Sequence, residues 1–453
     1  MSALWTSAEL REATGGILDA ELVVSGISID TRSLEPGDLF IALVGENSDG
    51  HAHIATALDK GAACVMVHDA EAGNDPRLLH VANTLTGLQA LGHAARARFT
   101  GKMVGVTGSV GKTTTKNMLH CAFSSLGPTH AAIASYNNHW GVPLTLARMP
   151  RETAYCVAEI GMNHRGEIAP LAAMVRPDIA VVTTIGSAHL GYMGSIEAIA
   201  EEKSDLIAAL PKGGVAVVPD DTGVDSIFER AAAHSGARLS RVGLSDRADY
   251  RLTDLAISAD GSRFDFDGQR VTLNAPGAHL ARNAALALAT LRAFDLPINK
   301  AIAALAAWRP GAGRGEIQPI LNGTASLLDE SYNASVLSIR AALQTLALVP
   351  ATRRIAVLGD IRELGEFADS EHLSLVPDLM AHADLVFCCC PHMRHVFDAL
   401  AEEKRGVWQT DAASLAPIVQ SHLKAGDVVL VKGSLGSRMR DIVAPLLAGG
   451  AKA

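Results

Sequence analysis

The densest chemistry in the chain lies in Gly105-Val106-Thr107-Gly108-Ser109-Val110-Gly111-Lys112-Thr113-Thr114-Thr115. These residues follow the apolar pair Met103-Val104 and precede a helix-like segment, Thr114 to Phe123. A strand, a glycine turn and a helix N-terminus in that order form a phosphate cradle. Backbone N–H groups point into the turn, and the helix dipole adds partial positive charge. Lys112 has the reach for terminal phosphates, and the Thr113 hydroxyl suits Mg²⁺. Thr107, Gly108, Ser109, Gly111 and Thr114 complete a loop expected to bind ATP. A strict P-loop needs Gly five residues before Gly111, where this chain has Val106. A glycine-rich turn in an ordinary α/β domain would share the pattern; the strand-to-helix setting favours phosphate binding.

Further candidates stand at apparent strand ends, where open parallel sheets bind ligands. Glu159-Ile160-Gly161 ends one strand, and Gly186-Ser187-Ala188-His189-Leu190 ends another. A carboxylate and an imidazole beside the loop threonine could hold Mg²⁺ near ATP. Mg²⁺ prefers oxygen, so Glu159 is the better ligand; His189 is unusual there and equally able to cap a turn. Lys203, within Glu201-Glu202-Lys203-Ser204-Asp205, reads as part of a solvated helix face. Asn137 and Asn138 open a polar turn that suits sugar or peptide binding, or simply a turn. Asn283 could face a base or cap the following helix.

The elements that position these residues fall into three regions: 1–98, 99–312 and 313–453. The first has short apolar strands (Leu22 to Val24, Leu39 to Leu43), a polar loop Gly45–His51 and a helix-like Leu85 to Arg98. In the second, strands at Tyr155–Ile160, Ile179–Thr184 and Val215–Val218 alternate with helices at Leu119–Ser125 and Ile196–Leu210. This predicts a parallel sheet covered on both faces. The breaker cluster Pro310-Gly311-Ala312-Gly313 marks the second boundary. Beyond it, strands at Arg354–Leu358, Leu385–Cys389 and Val428–Val431 predict a smaller doubly wound unit. That unit lacks a G-x-G-x-x-G fingerprint, so NAD has little support.

At 453 residues, 48% hydrophobic and 19% charged, the chain reads as globular with two to four domains. No apolar run approaches the roughly 18 residues of a membrane span, and no secretory signal is visible at Met1 to Leu10. A net charge of −9 leaves no basic footprint for nucleic acid. The six cysteines form no C-x-x-C pairs, and Cys388-Cys389-Cys390 ends an apolar run. Buried free thiols and a cytoplasmic location are expected.

These motifs together resemble the Mur ligase family, ATP-dependent amide-forming enzymes of peptidoglycan precursor synthesis, over essentially the whole chain. The family loop G-x-T-G-x-x-G-K-T-T matches Gly105 to Thr114, which accounts for Val106. Within the family, the chain is similar to the branch that adds D-alanyl-D-alanine to a UDP-N-acetylmuramoyl-tripeptide through an acyl phosphate. The segments that carry this are Asp30-Thr31-Arg32, Gly45-Glu46 with Asp49-Gly50-His51, Asn137 to Leu144, Asp329 to Ala334, Gly359 to Gly365 and Val431 to Ser434. The D-N-P-R signature of the diaminopimelate-adding branch is absent.

The resemblance implies three domains: a small N-terminal α/β unit for the UDP substrate, a central P-loop unit and a C-terminal Rossmann-like unit. It implies ATP and Mg²⁺ as cofactors, small-molecule substrates, a monomer and no membrane insertion. Lys112, His189 and Lys203 become the catalytic candidates, Lys203 as a carbamylated lysine. Thr113, Glu159, His189 and Lys203 become the Mg²⁺ set. Asn283, Arg314, Asp329, Tyr332 and Asn333 are placed at the nucleotide. Ser28, Asp30, Arg32, Gly45, Glu46, Asp49, His51, Asn137 and Asn138 are placed at the UDP substrate. Asp329-Glu330 stands where the family usually pairs two aspartates, leaving open which carboxylate meets the ribose. Lys432 and Arg438 are candidates for the carboxylate of the incoming amine. The N-terminal region separates this reading from a folylpolyglutamate-type synthetase. The presence of Lys112, Thr113, Glu159, His189 and Lys203 together separates it from a catalytically decayed relative.

Overall fold

The Lys102–Thr107 strand is the axis around which the site is built. It lies in a computed structural model that describes residues 3–45, 48–69 and 73–448. Its sheet has seven strands in the order 250–251, 238–243, 215–219, 179–182, 102–107, 155–159 and 129–131. Every pairing in it is parallel. Alternate residues feed two cores. Val104, Val106 and Val181 pack with the helices Lys112–Ser124 and Ala278–Ala293. Met103, Ala180 and Val182 pack with Ile168–Val175 and Ile196–Ala208. Burial on both faces is why these strands read as unbroken apolar runs.

The register sets the site. Val106 pairs with Glu159 on one side and with Val181 on the other. The Glu159 strand and the strand leading to His189 therefore flank the P-loop strand on opposite sides, and are not neighbours of each other.

The sequence reading missed a three-stranded antiparallel sheet over Thr253–Ser258, Gly261–Phe266 and Gln269–Leu273. Its hairpin turns are Ala259-Asp260, with Gly261 opening the next strand, and Asp267-Gly268, a pair that favours tight reversals. Its Phe264, Phe266, Val271 and Leu273 are fully buried.

The N-terminal four-stranded sheet runs 26–28, 38–41, 64–67, 78–80, all parallel. Its core takes in Leu144 and Ala147 of the Gly141–Ala147 helix, and the Trp5 indole donates to the Ala147 carbonyl at 2.9 Å. The Asn137–Ala147 segment is thus the seam between this sheet and the central one. The C-terminal sheet runs 316–320, 325–330, 427–432, 353–358, 385–389, 405–409. Only its first pair is antiparallel. Ser335 is the N-cap of the Val336–Leu348 helix, exchanging capping-box bonds with Ser338.

The central and C-terminal sheets meet over a shared apolar layer that includes Leu190, Met193, Ile361 and Leu364. There two glycines touch: a Cβ on Gly191 would lie 2.5 Å from the Gly365 nitrogen. The six cysteines carry no disulfide, and five are buried. Among the described residues, no helix is long and apolar enough to cross a membrane.

Candidate functional site

A cleft of about 910 Å³ opens at the C-terminal ends of the central strands, walled on the far side by the C-terminal sheet. The P-loop forms its floor. Gly108 has φ +145° and Gly111 φ +87°, and a Cβ on Gly108 would fall 2.0 Å from Thr183 Oγ1. Both positions need glycine. Lys112 opens the helix and donates from Nζ to the Gly108 carbonyl at 2.7 Å. Burial lowers its pKa, Glu159 partly restores it, and Arg314 lowers it further. Ser109, Gly111, Thr113 and Thr114 line the cleft; Thr107 and Gly108 lie behind them. Asn283 also lines the cleft, its side chain 3.2 Å from where a Gly111 Cβ would stand.

Beside the loop, Glu159 is buried and heavily coordinated. Its Oε1 accepts from Thr113 Oγ1 at 3.1 Å and from Asn137 Nδ2 at 2.8 Å. Its Oε2 is buried with no hydrogen-bond partner. Asn137 is therefore a partner of Glu159 as well as a cleft residue, while the Asn138 side chain caps Trp140 and Gly141. Lys116, which sequence reasoning passed over, is fully buried four residues after Lys112. It donates to the carbonyls of Ala132 and Ala134 at 2.6 and 3.0 Å and lies 3.9 Å from Glu159 Oε2. It anchors the segment that presents Ser135, whose hydroxyl meets Thr113 at 2.9 Å and Arg314 at 3.0 Å. Its spacing of four from Lys112, one helix turn, is the only sequence signal for it.

His189 sits at φ +66° as the N-cap residue of the short helix Leu190–Met193, so its backbone turns the chain while its ring lines the cleft. Nδ1 lies 2.5 Å from Glu363 Oε2, in ion-pair contact but not aligned as a hydrogen bond. Contact with His189, ahead of an opposing burial effect, lowers the Glu363 pKa. Glu363 was not singled out from sequence, because its partner is 174 residues away by number (363 − 189).

The solvated-face reading of Lys203 is wrong. The residue is fully buried and its Nζ has no partner. Burial drives its pKa well below the usual lysine value and repulsion from Lys112 adds to this, with Glu202 opposing. Glu202 is itself occupied, accepting from the Gly166 and Ile168 amides at 2.7 and 2.8 Å.

In the C-terminal wall, Asp329 and Glu330 are placed differently. Asp329 is buried and accepts from the Ser331 amide at 3.0 Å; it does not line the cleft. Glu330 does line it, and is paired to Lys432 at 3.0 Å. Lys432 also donates to the Asn333 carbonyl at 3.0 Å, so its charge is committed inside the wall. Arg438 points outward and pairs with Asp441 at 3.0 Å. Arg314 stacks 3.9 Å over the Tyr332 ring, and Tyr332 and Asn333 line the cleft.

The N-terminal candidates form a separate cluster. Ser28 donates to the Asp30 carbonyl at 2.9 Å, and Asp30 holds Arg32 at 2.6 Å, leaving the Arg32 side chain 89% exposed. The hydrogen bonds from Arg32 lower the Asp30 pKa. Asp49 caps the turn Gly50–His53 and holds His51 Nδ1 at 2.6 Å, while the His68 amide donates to His51 Nε2 at 3.2 Å. His51 thus braces the loop with both ring nitrogens. Gly45 lies against the Trp140 ring, which joins this cluster to the Asn137–Asn138 turn. Glu46 lies outside the described residues.

Among the described residues, no three His, Cys, Asp or Glu side chains gather closely enough to form a complete protein cage for a metal. Mg²⁺ usually takes one or two carboxylates and fills its shell with phosphate oxygens and water. The orphaned Glu159 Oε2 and the Thr113 hydroxyl are the donors that fit such an ion.

Comparison with known proteins agrees with this geometry. The Mur ligase family, catalytic domain, model matches residues 23–98; the Mur ligase middle domain matches 106–291; the Mur ligase, glutamate ligase domain, matches 313–435. The UDP-N-acetylmuramoyl-tripeptide–D-alanyl-D-alanine ligase of Bacillus subtilis is 33% identical over 442 residues, covering 94% of each chain. The crystal structure of MurF from Acinetobacter baumannii superposes with TM-score 0.85 at 29% identity, covering 98% of this chain and 99% of that one. MurF from Thermotoga maritima, solved in complex with ADP, superposes with TM-score 0.79 at 26% identity, covering 94% and 98%. A phosphate-binding turn, a buried carboxylate at its side and sequence likeness from end to end lead to one conclusion: this chain belongs to the Mur ligase family.

Proposed function

We propose that this protein is an ADP-forming ligase that joins D-alanyl-D-alanine to UDP-N-acetylmuramoyl-tripeptide. The observation that carries the reading is the Lys112, Thr113 and Glu159 constellation, set in a cleft whose opposite wall comes from the C-terminal sheet. Residues 1–98, 99–312 and 313–453 serve as UDP-substrate, ATP and amine-side units. Asp30, Arg32 and the Gly45–His51 loop face the uridine nucleotide. Lys112 and the loop amides hold the triphosphate, with Asn283, Arg314, Tyr332 and Asn333 around the rest of ATP. The enzyme works as a monomer in the cytoplasm, in keeping with its free thiols.

The terminal carboxylate of the tripeptide attacks the γ-phosphorus of ATP, forming an acyl phosphate and releasing ADP. The amine of D-alanyl-D-alanine then attacks that carbonyl, loses a proton, and phosphate departs. Lys112 neutralises charge on the transferring phosphoryl group, and such positioning and electrostatics supply most of the rate in phosphoryl transfer. Mg²⁺, when held by Thr113 and Glu159 with His189 and Lys203 nearby, would screen the phosphate oxygens. Asn137 and Lys116 fix the Glu159 carboxylate, and Lys116 offsets its charge.

The test is phosphate release with UDP-tripeptide and ATP, supplied with either D-alanyl-D-alanine or glutamate, and mass spectrometry of the product. Release should require the dipeptide and yield the extended UDP-peptide. Release with glutamate alone would favour a folylpolyglutamate-type activity.

Closure of the C-terminal wall gives a second expectation. Gly191→Ala would drive a Cβ into the Gly365 nitrogen and, at 2.7 Å, the Leu364 carbonyl carbon. Backbone atoms cannot swing aside as a side-chain tip can. The Glu363 loop should be displaced from His189 and kcat fall about 100-fold, since a shift near 1 Å has that scale of effect. Kinetics read beside thermal unfolding, which should move little, check this.

A further inference from the structure

We infer that Arg362 binds the C-terminal carboxylate of the incoming dipeptide and so selects amines that end in a free carboxylate. This rests on the ligase reading above.

Among the described residues, six lysines and arginines line the cleft. Lys112 belongs to the phosphate loop. Arg282 is paired with Asp221 at 2.7 Å, Arg340 with Asp378 at 3.0 Å and Lys432 with Glu330 at 3.0 Å. Arg314 lies at the Thr113 end, bonded to Ser135. Arg362 lines the same cleft, and its guanidinium meets a neutral acceptor, donating from Nη2 to the Gly436 carbonyl at 3.1 Å. A carboxylate is a stronger acceptor than a carbonyl, and a guanidinium fork matches it bidentately.

Position agrees with charge. Glu363, the next residue, reaches His189 at 2.5 Å, and His189 belongs to the proposed catalytic set. The amine and carboxylate of a dipeptide lie about two residue lengths apart, at most roughly 7 Å. A cation one residue along the same loop is placed for the far pole when the amine is at the acyl carbon. Room has been left for it: a Cβ on Gly436 would fall 2.6 Å from Arg362 Nε.

The loop is also held still. The Gly359 amide donates to the Lys432 carbonyl at 2.9 Å, and the Ser434 amide to the Asp360 carbonyl at 3.0 Å. Ile361 N–H donates to His372 Nε2, and Arg362 N–H to Ser434 Oγ, both at 2.9 Å. Gly191 N–H donates to the Glu363 carbonyl at 2.9 Å, while Glu363 sits in the left-handed region at φ +67°. Such pinning is how a site presents a charge in a fixed place. Leu435 is 62% exposed in the same wall and offers apolar surface to a terminal methyl group.

The experiment compares D-alanyl-D-alanine with its C-terminal amide as the amine, using the wild type, Arg362→Met and Arg362→Lys. The wild type should favour the acid by about 10- to 100-fold in kcat/KM, the scale of one charged hydrogen-bonded contact. Arg362→Met should lose that preference through a raised KM for the acid, with the KM for ATP unchanged, and Arg362→Lys should recover part of it. An unchanged acid-over-amide ratio in Arg362→Met, in protein that melts like the wild type, overturns the assignment. A wild type that makes no product from D-alanyl-D-alanine overturns the ligase reading itself, and is told apart because no variant is involved.

Discussion

Lys112→Ala should lower kcat/KM by at least about 10³-fold, the scale on which a single aimed charge acts in a water-poor site. The ammonium sits in the glycine turn, bonded to the Gly108 carbonyl at 2.7 Å, where a phosphate oxygen is a stronger acceptor. Burial works against its charge, so its stabilisation must come from an anion. Glu159 supplies part of that, and the triphosphate tail would supply the rest. The loss should fall on phosphoryl transfer, leaving affinity for the UDP substrate nearly intact, because Asp30 and Arg32, proposed to face it, lie in the loop after strand 26–28 of the N-terminal sheet. A single-turnover measurement of ADP formation separates these effects. Thermal unfolding should shift by no more than a few degrees, since the variant removes a desolvated charge and leaves the loop glycines in place. Near-normal ADP formation in that variant would mean the turn does not hold the triphosphate.

What was legible in the sequence followed burial and local geometry. The central strands showed because residues covered on both faces must be apolar. The P-loop showed because Gly108 and Gly111 are needed at conformations other residues avoid. The antiparallel sheet over 253–273 was missed because its outer positions are polar and its alternation is short, although both Asp-Gly pairs were visible. Lys116 and Lys203 look like ordinary helix lysines in one dimension; only packing shows that neither side chain reaches water. Glu363, Arg362 and the pairing of Glu330 with Lys432 depend on segments far apart in the chain. Periodicity carries no information about such pairs. The family motif singled out the Asp329–Asn333 turn, yet which carboxylate lines the cleft is set by strand alternation: Asp329 pairs with Val431 and turns into the wall, and Glu330 pairs with Lys432 and faces the cleft.

Lys203 carries the other large expected effect. The Lys112 charge disfavours an ammonium at Lys203, and Glu202, the carboxylate that opposes this effect, is taken up by two backbone amides. Burial and the Lys112 charge both favour the neutral amine at that position, and a neutral amine is nucleophilic. Attack on carbon dioxide forms an N–C bond, releases one proton and leaves a carbamate, an anion with two oxygens. The carbamate would attract Lys112 where the ammonium repelled it, and would give a hard cation another oxygen ligand. Lys203→Met should therefore lose about 10²-fold or more of activity, the range seen when one electrostatic element of such a site is removed. It should also be at least as stable as the unmodified wild type, because it deletes a buried, unpartnered amine. The sign of the pH effect follows from the depressed pKa. Between the folded value and the unfolded value of about 10.4, the unfolded chain binds the extra proton, so wild-type stability rises with pH in that window. Urea titrations at several pH values, in buffer stripped of carbon dioxide and Mg²⁺, should show that part of the slope in the wild type and not in Lys203→Met. With ¹³C-bicarbonate, a protein-bound carbonyl resonance should appear in the wild type and be missing from the variant. An active Lys203→Met enzyme would remove the carbamate from the mechanism, and the same resonance in both proteins would place the modification elsewhere.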